Sequence, residues 1–290
     1  MAINLVTKFS PLVDERFEVE SKTSLVTNKD YDFIGAHSIK IYSVDTAEMN
    51  DYGRNATISN DEGNSHVLSR YGVIKDLSTS IQEVSMEQDR SFIFVIDKED
   101  EDETLGALNA GSALARQLRE VVIPEVDTYT YAKMASNAGH TEYGQTITKS
   151  NAYEKLTDAT EYMDEKKVPA NGRVAVVTPA FYKLLKQDSN AVLETEVGQD
   201  MRVKGVIANM DGMIIQKVVS SLLPTNINFM VAHKIATTQA IKLAEYDVID
   251  GGALASGKIV KGRIYYTAFV RNNKKNAIYV NTKASQPASL

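Results

Sequence analysis

Residues 104–139, TLGALNAGSALARQLREVVIPEVDTYTYAKMASNAG, decide how the rest of the chain is read. Leu114, Leu118, Val121, Val122, Val126 and Tyr129 recur at the three- and four-residue spacing of one buried helical stripe, while Arg116, Gln117, Arg119, Glu120 and Asp127 fall off it. The acidic run 97–103 (DKEDEDE) precedes Thr104, where an N-cap residue and negative charge favour a helix start, and Gly139 stands where a stop is expected. At ~1.5 Å per residue such a helix reaches roughly 50 Å, more than a compact domain of this size requires. Pro124 lacks an amide hydrogen and its ring collides with the carbonyl four residues back, so a bend is expected near Glu120. The reading is one kinked spine helix; a core helix followed by a second short helix after Pro124 is the alternative.

Upstream, 91–96 (SFIFVI) is apolar at both alternating sets of positions and reads as a strand buried on both faces. Before it, 45–90 is rich in Asn, Asp, Ser, Gly and charge, including Gly53, Gly63 and Gly72, and is too long for an ordinary connection. Its second half, with Leu77, Ile81, Val84 and Met86, is β-permissive, so an extended two-stranded excursion is expected, and such a hairpin does not stabilise itself in water. Residues 33–44 are strand-like, with Ile39, Ile41 and Ser43 on one face. The first thirty residues are polar and irregular apart from a short helix expected at Ser10-Pro11. Their apolar residues, among them Leu12, Val13, Phe17 and Val19, are too few for a core, so this segment is an arm that packs on something else.

Downstream, Asn151 and Glu154 have the spacing of a capping box and open a helix carrying Tyr153, Leu156, Tyr162 and Met163. The break 168–172 (VPANG) leads to a buried strand at 173–177, and Thr178-Pro179 starts a helix with Phe181, Leu184 and Leu185 on its apolar face. Strands follow at 212–218, after a turn at 209–211, and from 227, so that 151–254 reads as a mixed α/β domain. Finally, 258–270 and 277–280 read as a hairpin around the polar turn 271–276. With no other local partners, these strands are assigned to a second, discontinuous domain with the spine and the strands near 35–44 and 84–96.

The 43% apolar content excludes a largely disordered chain, and no run of eighteen apolar residues or signal-like N-terminus is present, so no membrane role is expected. Cysteine is absent, which removes disulfides, thiolate metal sites and cysteine nucleophiles. The net charge of −6 carries no basic cluster dense enough to read duplex nucleic acid. His37, His66, His140 and His233 have no metal-ligand spacing. Residues 139–146 approach a phosphate-binding loop but place Gln145 where its lysine belongs and follow a helix rather than a strand. The acidic run lacks the central glycine of a calcium loop. No catalytic, cofactor-binding or metal-binding residue is assigned.

The order of parts is informative: polar arm, long extended loop, kinked spine, α/β domain and closing strands. Together with 97–126, 175–182 (AVVTPAFY), 205–215 (GVIANMDGMII) and 262–270 (GRIYYTAFV), it resembles the major capsid protein of tailed bacteriophages, across essentially the whole chain. The resemblance implies an α+β, Hong Kong 97-like fold. Residues 1–34 would be the N-terminal arm, 45–83 the extended loop, 35–44 with 84–150 and 255–290 the peripheral domain holding the spine, and 151–254 the axial domain. It implies no enzyme activity and no cofactor, but self-assembly into pentamers and hexamers of an icosahedral shell. A separate scaffolding protein, or none, is expected, with portal and decoration proteins as further partners, packaged DNA held non-specifically, and assembly in the host bacterial cytoplasm. Subunit contacts are then expected at Pro11, Phe17, Tyr52, Arg54, Arg70, Tyr71, Lys75, Arg116, Arg119, Glu120, Asp211, Gly212, Asn272 and Asn273. Lys75 with Asn272 or Asn273 matches the residue types of a covalent crosslink found in some members, although solvated loop residues are the preferred reading. An encapsulin-like compartment shares this fold, and a soluble α/β enzyme with an unrecognised site is the alternative of another class.

Overall fold

A computed structural model describes residues 21–31, 33, 36–44, 46–52, 54, 68–73, 76–103, 109–188, 209–251 and 256–285. These fall into two compact units, one of 38–84 and one of 85–290 together with the residues before 38. The smaller unit contains β1 (Ser38–Val44), the short pair β2 (Leu68–Ser69) and β3 (Gly72–Val73), and most of β4 (Thr79–Ser85). β1 pairs with β4 and β2 with β3, so the two-stranded excursion is present and takes in β1, which the sequence assigned to the domain of the spine. The alternation of β1 holds, with Ile41 buried and Ile39 and Ser43 half-buried.

In the larger unit, β5 (Gln88–Asp97) runs directly into helix α1 (Lys98–Glu103), so the acidic run is itself helical rather than a cap for Thr104. Residues 104–108 lie outside the described residues. The spine then starts at α2 (Ala110–Gln117), where the Asn109 side chain accepts the Gly111 amide. A π turn at Leu118–Val122 joins it without interruption to α3 (Ile123–Ser136). The Ile123 amide reaches back five residues to the Leu118 carbonyl, which accommodates Pro124 immediately after it. The distortion therefore falls where the proline predicts a bend. The extra residue shifts the helical phase: Val121 is 45% exposed, while Ile123, Val126, Asp127, Thr130, Tyr131 and Met134 are buried. Asp127, read from the sequence as off the buried stripe, is 1% exposed. The spine stops at Asn137, whose side chain donates to the Lys133 carbonyl. Gly139 serves a different purpose, since a Cβ there would come within 2.5 Å of the Lys275 carbonyl oxygen.

After the spine come β6 (His140–Glu142), α4 (Ala152–Glu165), β7 (Arg173–Val177), α5 (Pro179–Gln187), β8 (Asn209–Met210), β9 (Met213–Lys217), β10 (Ile227–His233), β11 (Thr237–Asp250), β12 (Gly257–Val270) and β13 (Ile278–Thr282). Thr178 caps α5 by accepting the Phe181 amide, as its sequence predicts. The capping box of α4 does not form. Asn151 turns its side chain to Thr148 and Thr146, and the buried Asp188 carboxylate accepts the Tyr153 amide instead.

Two sheets organise this unit. One has six strands in the order β6-β13-β10-β7-β9-β8, with β7 and β10 fully buried or nearly so along their length, as strands covered on both faces must be. The other has three, β11-β12-β5, joined by antiparallel ladders from Thr237↔Val270 to Asp250↔Lys258 and from Gly257↔Asp97 to Tyr266↔Gln88. The expected C-terminal hairpin is not formed. β12 pairs with β11 and β5, whereas β13, after a 3-10 turn at Asn272–Ala277, pairs with β10 and β6 in the six-stranded sheet. Each sheet has its own apolar core, and the spine enters both. Leu114, Leu118, Val122 and Val126 pack with Ile96, Val260, Ile264 and Tyr266 of the three-stranded sheet. Tyr131 and Met134 pack with Val176, Phe229 and Met230 of the six-stranded sheet.

Candidate functional site

Exposed surfaces are the candidate binding features, and the first is on the smaller unit. Tyr42, Val44, Met49, Tyr52, Tyr71, Leu77 and Ile81 are all at least half exposed there. Among the described residues they make up half of the fourteen exposed large apolar ones, although 38–84 supplies only about a seventh of the described residues, so the apolar surface is concentrated rather than scattered. The Tyr52 and Tyr71 rings meet edge to face at 5.0 Å, and Asn50 donates to the Tyr71 carbonyl. Structure thus brings together two of the expected contact residues. Arg54 and Arg70 lie in exposed turns of the same unit, while Lys75 falls outside the described residues, as do Pro11, Phe17 and the helix expected at Ser10-Pro11.

The second surface is the outer face of the three-stranded sheet. Phe92, Phe94 and Ile96 point into the core beneath, but Ile93 and Val95 are 70% and 52% exposed, so β5 is buried on one face only. A run of alternating apolar residues does not distinguish a covered face from one awaiting a partner. Beside them on the same face, opposite Ile93 on β12, Lys261 lies 3.6 Å from Asp247, and two residues on Arg263 donates to both Asp89 carboxylate oxygens, from Nε at 2.9 Å and Nη2 at 2.6 Å. The Arg263 hydrogen bond holds the Asp89 carboxyl below the usual carboxylate range.

On the spine, Arg116 donates to Glu120 one turn on at 2.9 Å, and Arg116, Arg119 and Glu120 are all exposed, as their spacing predicts. Asp211 and Gly212 form the exposed turn between β8 and β9, with φ of 49° and 72°. A two-residue turn with both φ values positive matches the twist of a hairpin and suits Asp-Gly. Asn272 and Asn273 begin the 3-10 turn before β13 and are exposed.

Sequence reasoning missed the anchor of the arm. Asp127 accepts hydrogen bonds from Ser21 Oγ at 2.6 Å, Thr23 Oγ1 at 2.8 Å and the Lys22 amide at 2.7 Å. Burial pushes its carboxyl up against the opposing pull of these donors, and the net direction is upward. Tyr131 Oη donates to the Lys22 carbonyl, Val26 is fully buried, and Asn28 bridges to the edge of β11 through Thr237 and Gln239. Residues 21–28 therefore pack on the chain's own spine and sheet. The available signal was an acidic residue between the apolar Val126 and Tyr131 of the spine.

His233 closes the loop before β7. Its Nδ1 accepts the Ile235 amide at 3.2 Å, leaving the proton on Nε2, which donates to the Asn171 carbonyl at 2.8 Å. Burial lowers its pKa, so the folded state favours the neutral ring. The unfolded chain then binds an extra proton below about pH 6.5, and this contribution to stability is full above that value and lost as pH falls toward the depressed folded value. Melting temperature is expected to drop from about pH 7.5 to about pH 5, with His233→Gln flattening the drop. An unchanged slope in that variant would remove His233 as its source.

Among the described residues, no group of three or more His, Asp or Glu side chains could hold a metal ion, and no helix is long and apolar enough to cross a membrane.

The sequence profile of the phage capsid protein family matches residues 85–281. A solved structure from Mycobacterium phage Che8 superposes with a TM-score of 0.70 at 17% identity, covering 90% of each chain. The capsid structure of cyanophage P-SCSP1u gives a TM-score of 0.69 at 15% identity, over 90% of this chain and 87% of that one. A virus-like particle from Pyrococcus furiosus gives 0.55 at 11% identity, over 95% and 100%. No curated protein sequence matches the chain.

Proposed function

This chain belongs to the phage capsid protein family, and we propose that it is the major capsid protein of a tailed bacteriophage, whose copies gather as hexamers and pentamers of an icosahedral shell around the genome. The observation that carries this reading is the apolar surface of 38–84. A two-stranded sheet with that much exposed Tyr, Met, Leu and Ile is stabilised by a neighbour that covers it. Negative-stain microscopy of the purified protein tests it: closed shells or ring-shaped capsomers are expected, and a monomer at all concentrations would overturn it.

Within the shell, the six-stranded sheet with the Asp211-Gly212 turn is assigned to the contacts around five-fold and six-fold axes. The three-stranded sheet and the first half of the spine are assigned to contacts between capsomers, and Pro11 and Phe17 of the arm to a neighbouring subunit. Tyr52, Arg54, Arg70 and Tyr71 belong to the surface the smaller unit offers. Asn272 and Asn273 are assigned as solvated contact residues, and Lys75 likewise; a ladder of bands from assembled particles on a denaturing gel would reassign them to a covalent crosslink. A portal and decoration proteins are the further partners proposed, with a separate scaffolding protein or none, DNA held non-specifically and assembly in the host cytoplasm. The exposed Arg116, Arg119 and Glu120 face is a contact surface or the shell interior. Arg119→Glu is expected to lower shell yield with little change in melting temperature, and unchanged yield would remove that face from the assignment. An encapsulin-like compartment shares the fold, and nucleic acid rather than enzyme cargo in purified particles separates the two.

A further inference from the structure

We propose that Asn171 is a site of slow self-modification, at which the turn before β7 closes a succinimide with His233 as the residue that promotes closure. Asn171-Gly172 is the single Asn-Gly pair in the chain. Both residues are exposed, and Gly172 holds a φ of +88°, where it has no Cβ to shield its amide nitrogen. Among the described residues, no hydrogen bond holds the Asn171 carboxamide or the Gly172 amide. The decisive contact is the Nε2–H of His233, which donates at 2.8 Å to the Asn171 carbonyl oxygen. That oxygen and the Gly172 nitrogen belong to one peptide unit. The ring lies close against it, since a Cβ on Gly172 would stand 3.3 Å from Nε2. A fixed donor on the carbonyl oxygen stabilises the negative charge that develops when the Gly172 nitrogen gives up its proton.

In the first step, the Gly172 nitrogen loses its proton to solvent and bonds to Asn171 Cγ. The Cγ–Nδ2 bond breaks, and Nδ2 leaves as ammonia after taking up a proton. In the second, water adds to either carbonyl of the five-membered ring and the ring C–N bond breaks, giving aspartate or isoaspartate at 171. One water is consumed, one ammonia is released, nothing is oxidised or reduced, and each modified subunit gains one negative charge.

The purified full chain is incubated at neutral pH and digested with trypsin, which releases residues 168–173 by cutting after Lys167 and Arg173. The wild type is expected to accumulate a product of one added mass unit at 171, part of it isoaspartate, with one labelled oxygen when the incubation is in heavy-oxygen water. His233→Phe keeps a planar ring without the donor and is expected to slow the reaction about tenfold, the weight of one hydrogen bond. His233→Gln, whose amide nitrogen reaches the place of Nε2, is expected to stay within about threefold of wild type. No product in the wild type, or equal rates in wild type and a folded His233→Phe, would overturn the proposal. Should His233→Phe not fold, the free peptide of 168–173 replaces it: a folded-chain rate above the peptide's supports the role of His233, and one at or below it overturns that role.

Discussion

Replacing Met49, Leu77 and Ile81 together with serine is expected to abolish shell formation while leaving the larger unit folded. The three side chains are 98%, 58% and 56% exposed, so the isolated subunit loses little when they are removed, about 0.5 kcal/mol or less at each site. Covered by a neighbour, each apolar side chain of this size contributes roughly 1.5–3 kcal/mol, and a contact repeated around a shell loses that amount at every copy. The prediction therefore separates folding from assembly. Circular dichroism and melting should match the parent protein, while microscopy and sedimentation should show no closed particles. Normal shells from the triple variant would mean that this apolar surface is not an assembly contact.

Asp127→Ala is expected to give the largest loss of subunit stability, about 3 kcal/mol, because the Lys22 amide and the Ser21 and Thr23 hydroxyls lose a common buried acceptor. At this chain length that corresponds to a fall in melting temperature of roughly 6–12 °C. Proteolysis near residues 21–28 should accelerate as well, since these residues are tied to the spine through this carboxylate. Ser21→Ala alone is expected to cost about 1 kcal/mol, and much less in the Asp127→Ala background, where its acceptor is already gone. Full additivity of the two changes would show that Ser21 contributes through something other than Asp127.

The legible parts of this sequence were those governed by neighbours along the chain. The Thr178-Pro179 start of α5, the covered strand β7 and the disturbance ahead of Pro124 all follow from local chemistry, and all are present, whereas the turn expected at 209–211 lies at Asp211-Gly212, with Asn209 and Met210 in β8. Pairing is a different kind of information. β12 and β13 have the pattern of a hairpin, but alternation does not say which strand lies alongside, and the six-stranded sheet takes β13. Asp127 was misassigned because an ionisable residue is placed at the surface by default, and only the arm folding back supplies the donors that make its burial tolerable. The same limit applies to surfaces. Tyr52, Tyr71 and Arg119 are exposed, whereas Ile93 and Val95 have the sequence of core residues and, among the described residues, no core on their side of the sheet.

The π turn at Leu118–Val122 has a consequence for how this chain tolerates insertion and deletion. A helix that enters two cores must aim each half correctly, and one residue more or fewer turns everything beyond it by about 100°. The wide turn holds one residue beyond the ordinary count at the junction between the two cores, so the aim of Tyr131 and Met134 relative to Leu114 and Leu118 is set there. Lengthening α2 or α3 by a single residue would misdirect one core as a whole. Deleting one residue from the turn would convert it to ordinary α-helix and leave the aim of the downstream half nearly unchanged, so the turn is the place in the spine where a residue can be removed with both cores still correctly aimed.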